Sequence, residues 1–226
     1  NEVVIVGAVR TPIGAYKGVY KDIKAHSLGS VVIKEVLKRS NISQDEVDEV
    51  IMGQVLTAGS GQNPARQAAI SADIPISKPA HIVNQVCGSG LRAVISGYQS
   101  IKLGEITKVV TGGQENMSIA PHSILFRYGK KISEDKLVDT MIYDGLIDAF
   151  NNYHMGVTAE NVAEKFKITR ETQDMFALNS QMKTQIAVNE NKFDEEIVSI
   201  NQNGNIIKKD EHPRMNLNIS DLEKLK

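Results

Sequence analysis

The spacing of apolar positions along the chain changes period several times, and each change marks a predicted element. Val3 to Val6 is a short continuous apolar run ending at Gly7, as a strand covered on both faces would read. A loop follows at Arg10-Thr11-Pro12-Ile13-Gly14. Ser27 can then cap a helix in which Leu28, Val31, Val32, Glu35 and Val36 share a face that is apolar apart from Glu35. Ser43 and Glu46 have the spacing of a capping box. Val50-Ile51-Met52 predicts a second strand. Asn63-Pro64 predicts a helix start, because Asn caps well and Pro at the first helical position loses no needed N–H.

A third strand is predicted from His81 to Val86, running directly into Cys87-Gly88-Ser89-Gly90. Leu91, Val94, Ile95, Tyr98 and Ile101 then recur at helical spacing up to Gly104, which stops the helix. Lys108 to Thr111 predicts a fourth strand closing at Gly112-Gly113. Alternating strands and helices predict an α/β fold with a mostly parallel sheet. From Ser118 to Met155 the period is lost, which reads as an inserted loop region. Two helices are predicted beyond it. Thr158 would cap one, with Val162, Ala163 and Phe166 inward. Thr169 would cap the other, with Met175, Leu178, Met182 and Ile186 inward. The stretch from Asn201 to Arg214 is polar.

Composition removes several classes of function. With 41% apolar and 23% charged residues over 226 positions, the chain can bury a proper core. A formal net charge of -1 gives no basic face, so nucleic acid is not an expected partner. No apolar run reaches the roughly 20 residues that span a bilayer, and Asn1-Glu2-Val3 lacks the basic head of a signal peptide. No membrane partner is expected. Cys87 is the only cysteine, so no internal disulfide is possible, and a reducing cytoplasm is the expected location. The five histidines lack paired ligand spacing, and no metal site is expected.

The chemistry is concentrated at Cys87, on a predicted strand-to-helix turn. Helix amino termini present free N–H groups and partial positive charge, which favour a thiolate. Gly88 and Gly90 clear side chains from around the sulfur, so a thioester carbonyl can approach and its oxygen can reach backbone donors. The arrangement suits acyl transfer. Two plainer readings stand beside it: a small buried cysteine on a tight turn, and a dinucleotide loop. The second fits poorly, because Ala93 holds the third-glycine position and no acidic residue ends a second strand about 20 positions on.

Residues 81–93, from His81 to Ala93 around Cys87, resemble the nucleophile segment of the thiolase family. Four further segments resemble that family in the same order: Arg10 to Gly14, Gly61 to Gln67, Gly112 to Ser118, and Tyr153 to Asn161. In the third of these, Gln114 and Asn116 stand where Met and Ser are common. The resemblance implies a layered α/β fold with a core domain at 1–118 and an inserted loop domain at 119–226. A second thiolase domain would follow, absent from this chain.

The implied activity is that of an acyl-CoA acyltransferase, an acetyl-CoA C-acetyltransferase making or cleaving acetoacetyl-CoA through an acyl-Cys87 intermediate. No cofactor is implied; coenzyme A thioesters are substrates. Leu146 would pack on the pantetheine arm, His154 and Met155 would line the acyl and pantetheine pocket, and Arg214 would approach the adenine-phosphate end. The plainer readings are core for Leu146 and Met155, a structural histidine for His154 and solvated surface for Arg214. Asp221 departs from the small residue common in the family near the pantetheine. Arg127, Lys130 and Lys131 fall where the family assembles tetramers, so a homotetramer is expected. The activating histidine and second cysteine of the family mechanism have no counterpart here. The alternatives are a related condensing enzyme, of the ketoacyl or hydroxymethylglutaryl synthase type, and a catalytically incomplete CoA-binding fragment.

Overall fold

Val50, Ile51 and Met52 are apolar on both faces of a strand, and in the structure all three are almost completely buried, at 0–1% exposure. The structure, a computed structural model, describes residues 2–126 and 137–225. The basic cluster of Arg127, Lys130 and Lys131 lies outside the described residues. The doubly covered strand is β1 (Glu49–Gly53). It is the centre of a parallel sheet whose outer strands are β2 (Ala80–Val83) and β3 (Val109–Gly113). Parallel neighbours require crossover connections. Helix α2 (Pro64–Ser71) leads from β1 to β2, and α3 (Ser89–Leu103) leads from β2 to β3.

The two-residue period of the strands sorts the layers. Val50, Met52 and Val110 face a cluster built with Ile33 and Leu37 of α1 (Ala25–Arg39) and with Ala65, Ala68 and Ala69 of α2. Glu49, Ile51 and Gly53 point the other way, toward α3. Helix α3 approaches closely because small residues face the sheet: Ser89, Ala93 and Gly97 are its buried positions. A Cβ on Gly97 would stand 2.6 Å from Thr111 Cγ2 and 2.9 Å from Val109 Cγ1.

Beyond β3 the elements are short. A two-stranded antiparallel pair joins β4 (His122–Ser123) to β5 (Val138–Asp139), and α4 (Thr140–Gly145) follows. Then come α5 (Met155–Phe166), α6 (Arg170–Asn189), a hairpin of β6 (Ile200–Gln202) and β7 (Asn205–Ile207), and α7 (Ile219–Glu223). The hairpin packs back on the first third of the chain: Ile200 joins Tyr20 and Leu28 in a second apolar cluster. Arg10 fastens the same region, with both guanidinium NH groups on Asp210 at 2.7 and 3.0 Å and Nε on Glu196 at 2.6 Å.

Several expectations hold in detail. Ser43 and Glu46 form a capping box. Asn63 caps α2, accepting from Arg66 N–H. Thr169 caps α6, and Gly104 ends α3 at a φ of +79°.

Others need correction. Val3 to Val6 forms no strand; Val4, Ile5 and Val6 are 65–79% exposed. Its apolar composition favours burial, but a strand also needs a ladder partner, and neither edge strand of the sheet, β2 or β3, pairs with it. Helix α1 begins at Ala25 behind Lys24, not behind Ser27; Leu28 of the expected face is buried and Val31 and Val36 pack half-buried against the two clusters, while Ile33 and Leu37 are its deepest positions. The predicted apolar face of α3 turns outward, with Leu91 68% and Tyr98 49% exposed, because the small residues allow closer packing on the sheet. The β2 strand stops at Val83, short of Val86. Helix α5 is capped by His154, whose Nδ1 accepts from Gly156 N–H at 3.0 Å. Thr158 lies inside that helix, with its hydroxyl buried and unpartnered, and Phe166, Met175, Met182 and Ile186 are exposed. The polar stretch after Asn201 contains the second half of a hairpin, with Gly204 in its turn at a φ of +88°.

Candidate active site

Cys87 sits on the bend between β2 and α3, and the bend is strained. Val86, the residue before it, has a φ of +50°, a left-handed backbone that a β-branched side chain strongly disfavours. The strain is held by hydrogen bonds. Ser89 Oγ accepts from Gln85 N–H at 2.8 Å and donates to Val86 C=O at 2.6 Å. Asn84 Oδ1 accepts from Val86 N–H at 2.9 Å, and Gly88 N–H donates to Gln85 C=O at 3.0 Å. Ser89 is 4% exposed, so the staple is shielded from water. The result presents an exposed Cys87 thiol two residues ahead of the first residue of α3.

Gly53 lets the helix start sit directly on the sheet. A Cβ on Gly53, the last residue of β1, would lie 2.5 Å from Ser89 C and 2.6 Å from Gly90 N. A Cβ on Gly113, the last of β3, would lie 3.6 Å from Gly90 Cα. The carboxyl ends of β1 and β3 thus form the floor under the turn, which is where ligands bind in open parallel sheets.

A cavity of about 450 Å³ opens over this floor, lined by Cys87 and Val86, by Val55 and Leu56 beyond β1, by Glu115 and Met117 beyond β3, and by Leu146. Its wall is predominantly apolar, with a few polar groups at the back, as small-molecule sites usually are. The polar groups are linked. Gln114 Nε2 donates to Gln54 Oε1 at 2.9 Å, and Gln54 Nε2 donates to Leu56 C=O at 2.8 Å. Glu115 accepts from Val55 N–H at 2.8 Å. Burial pushes the Glu115 carboxyl above its ordinary value, and the N–H groups of Val55, Leu56 and Asn116 only partly offset this.

The five residues singled out from the sequence are placed as follows. Cys87 and Leu146 line one cavity. His154 and Met155 do not line it, but Met155 N–H donates to Leu146 C=O at 2.8 Å, and His154 bridges Ile147. Arg214 is exposed; its N–H donates to Gln181 of α6 at 2.9 Å, away from the cavity. Asp221 is engaged locally, accepting from Asn218 N–H at 3.2 Å. Sequence reasoning missed three residues that shape the site. Ser89 and Glu115 were legible only as polar groups within glycine-rich segments, and Gly53 only as a glycine ending a strand. Among the described residues no group of three or more His, Cys, Asp or Glu is arranged to hold a metal. No described helix is long and apolar enough to cross a membrane.

Comparison with known proteins gives this geometry its context. The chain is 56% identical over 201 residues to an acetyl-CoA acetyltransferase of Cupriavidus necator, covering 88% of this chain and 51% of that protein. It is 49% identical over 230 residues to a cytosolic acetyl-CoA acetyltransferase of Rattus norvegicus, covering 100% of this chain and 58% of the relative. A probable acetyl-CoA acyltransferase of Staphylococcus aureus is 46% identical over 232 residues, with 100% and 59% covered. The chain therefore spans about half the length of the curated relatives it matches. The family described as "Thiolase, N-terminal domain" matches residues 3–226, and with that match the chain belongs to the thiolase family.

Proposed function

We propose that this chain carries the acyl-accepting half of an acetyl-CoA C-acetyltransferase, with Cys87 as nucleophile. The observation that carries the reading is the Cys87 thiol raised on a strained, stapled turn at the amino end of α3, inside an apolar cavity shared with Leu146. The names of the relatives support acetyl-CoA as the donor.

In the first step the Cys87 thiolate attacks the acetyl carbonyl of acetyl-CoA. The C–S bond to coenzyme A breaks, the acetyl group stays on Cys87 as a new thioester, and coenzyme A leaves as a thiolate that takes up a proton. The exchanged bonds are of one kind, so the step is close to thermoneutral. Its barrier falls through placement of the sulfur and through backbone N–H groups at the carbonyl oxygen. In the condensing direction a second acetyl-CoA, deprotonated at its methyl carbon, attacks acetyl-Cys87 and frees the thiolate as acetoacetyl-CoA forms. The base and the group activating Cys87 would come from a histidine and a second cysteine outside these residues.

Within this reading Leu146 seats the pantetheine arm, His154 and Met155 extend that wall, and Arg214 meets the phosphate end. Residues 1–118 form the core domain and 119–226 the loop domain, in a cytoplasmic homotetramer. The exposed faces of Val4 to Val6 and of α3 support burial against the further length that the relatives possess.

The test uses the full-length protein and labelled acetyl-CoA. Label should map to Cys87, and a Cys87→Ala variant should lose both label and turnover. Turnover by the Cys87→Ala variant, or label confined to other residues, overturns the assignment.

A further inference from the structure

The carboxylate of Glu115 has no role in the acyl-transfer steps above, yet it stands half-buried against the cavity wall. No cation pairs with it among the described residues. A carboxyl group held there without a cation depends on the N–H groups it accepts from. Its bonds are specific. Oε2 accepts from Val55 N–H at 2.8 Å and from Leu56 N–H at 3.3 Å, and Oε1 reaches Leu56 N–H at 3.4 Å.

Val55 and Leu56 need those acceptors. The β1 ladder continues as far as Gln54, whose N–H donates to Val83 C=O at 3.2 Å, and the next two N–H groups have left the sheet. Leaving them unpaired in a partly buried wall would be unfavourable. Glu115 takes up both, and the neighbouring residues add straps on either side. Gln114 holds Gln54, and Gln54 holds the Leu56 carbonyl. Asn116 Nδ2 donates to the carbonyls of Tyr20 and Ile23. Gln114 and Asn116 are the two positions in this segment that depart from the residues common in the family.

The clamp leads to the substrate side. Leu56 is 8% exposed, and a Cβ on Gly145 would stand 3.7 Å from its Cδ2. Gly145 precedes Leu146, and both line the Cys87 cavity together with Val55 and Leu56. We propose that Glu115 is a positioning residue that fixes the Val55–Leu56 wall and thereby the seat of Leu146, setting how tightly an acyl-pantetheine chain is held beside Cys87. The inference rests on the acyl-transfer reading. A seat of this kind contacts the chain equally before and during reaction, so it acts on KM and not on kcat.

The experiment compares full-length wild type with Glu115→Ala, Glu115→Asp and Glu115→Gln. It measures acetyl-CoA kinetics, Cys87 labelling and hydrogen exchange at the Val55 and Leu56 amides. In Glu115→Ala the KM for acetyl-CoA should rise about tenfold with kcat within about threefold of wild type, and both amides should exchange about tenfold faster. Asp, one methylene shorter, should behave like Ala. Gln, whose single carbonyl oxygen can accept both N–H groups, should return KM to within about threefold of wild type. Should Glu115→Ala fail to fold, the Asp and Gln pair decides the matter. A wild-type KM in Asp and Ala, or a loss of kcat at constant KM, overturns the Glu115 assignment while Cys87 labelling stands. No label on wild-type Cys87 overturns the acyl-transfer reading and this role with it.

Discussion

A single methyl group at Gly53 should displace Cys87. The Cβ of Gly53→Ala would stand 2.5 Å from Ser89 C, 2.6 Å from Gly90 N and 2.7 Å from Ser89 O. Carbon contacts settle at about 3.5–4.0 Å, so the start of α3 must retreat from β1 by about 1 Å. All three atoms are backbone, and no side chain can swing away to absorb the clash. Overpacking of this kind costs about 1–3 kcal/mol, and the upper end is expected here. Cys87 lies two residues before Ser89 and moves with it; a misplacement of about 1 Å costs on the order of 100-fold in rate. Two assays on the full-length protein read this out: the urea midpoint at constant m-value, and the single-turnover rate of Cys87 acetylation. Gly112→Ala is the control one strand over. Its Cβ would meet only the Met52 thioether at 3.8–3.9 Å, an ordinary contact, so its stability should stay within about 0.5 kcal/mol of wild type. A Gly53→Ala protein with wild-type midpoint and acetylation rate would refute the close-approach argument.

Replacing Val86 by Gly relieves a left-handed strain of about 1–2 kcal/mol and costs about 0.5–1 kcal/mol in chain entropy. With the Val86 side chain 49% exposed, little burial is lost. The urea midpoint should stay level or rise while acetylation slows, and a stability loss beyond about 1 kcal/mol would contradict the strain. Glu46 offers a pH test: the Lys108 ammonium at 2.6 Å, followed by the Ser43 N–H and hydroxyl, holds its carboxyl down to about 2 from an ordinary value of 4.5. Its stabilising contribution is therefore complete above pH 4.5 and lost as pH falls through about 2. In Lys108→Ala an NMR titration of Glu46 should show the midpoint move up toward 4.5, and an unmoved midpoint would remove Lys108 as the cause.

Much of the site was legible in residue order because its determinants are local. A cysteine between a strand pattern and a helix pattern, followed by Gly88 and Gly90, places a thiol at a helix start whatever surrounds it. The Asn63 and Thr169 caps and the Gly104 stop were readable for the same reason, since each acts within one helical turn. The five ordered segments carried the family. What escaped was relational. Nothing in residue order shows that Gly53 meets Ser89, 36 positions later, or that Glu115 reaches Val55, 60 positions earlier.

Local chemistry alone therefore determined the alternation of α1, β1, α2, β2, α3 and β3 and the helix-start setting of Cys87. Those follow from backbone sterics, capping and apolar period, which act over a few residues. Tertiary structure decided the rest: that Val3 to Val6 stays outside the described sheet, that α3 turns its small residues inward and its large ones outward, and that Leu146 shares a cavity with Cys87 while Arg214 does not. The physical reason is that burial and ladder hydrogen bonding are properties of pairs. A run of apolar residues states a need for a partner, and only the assembled layers decide which partner, if any, it meets.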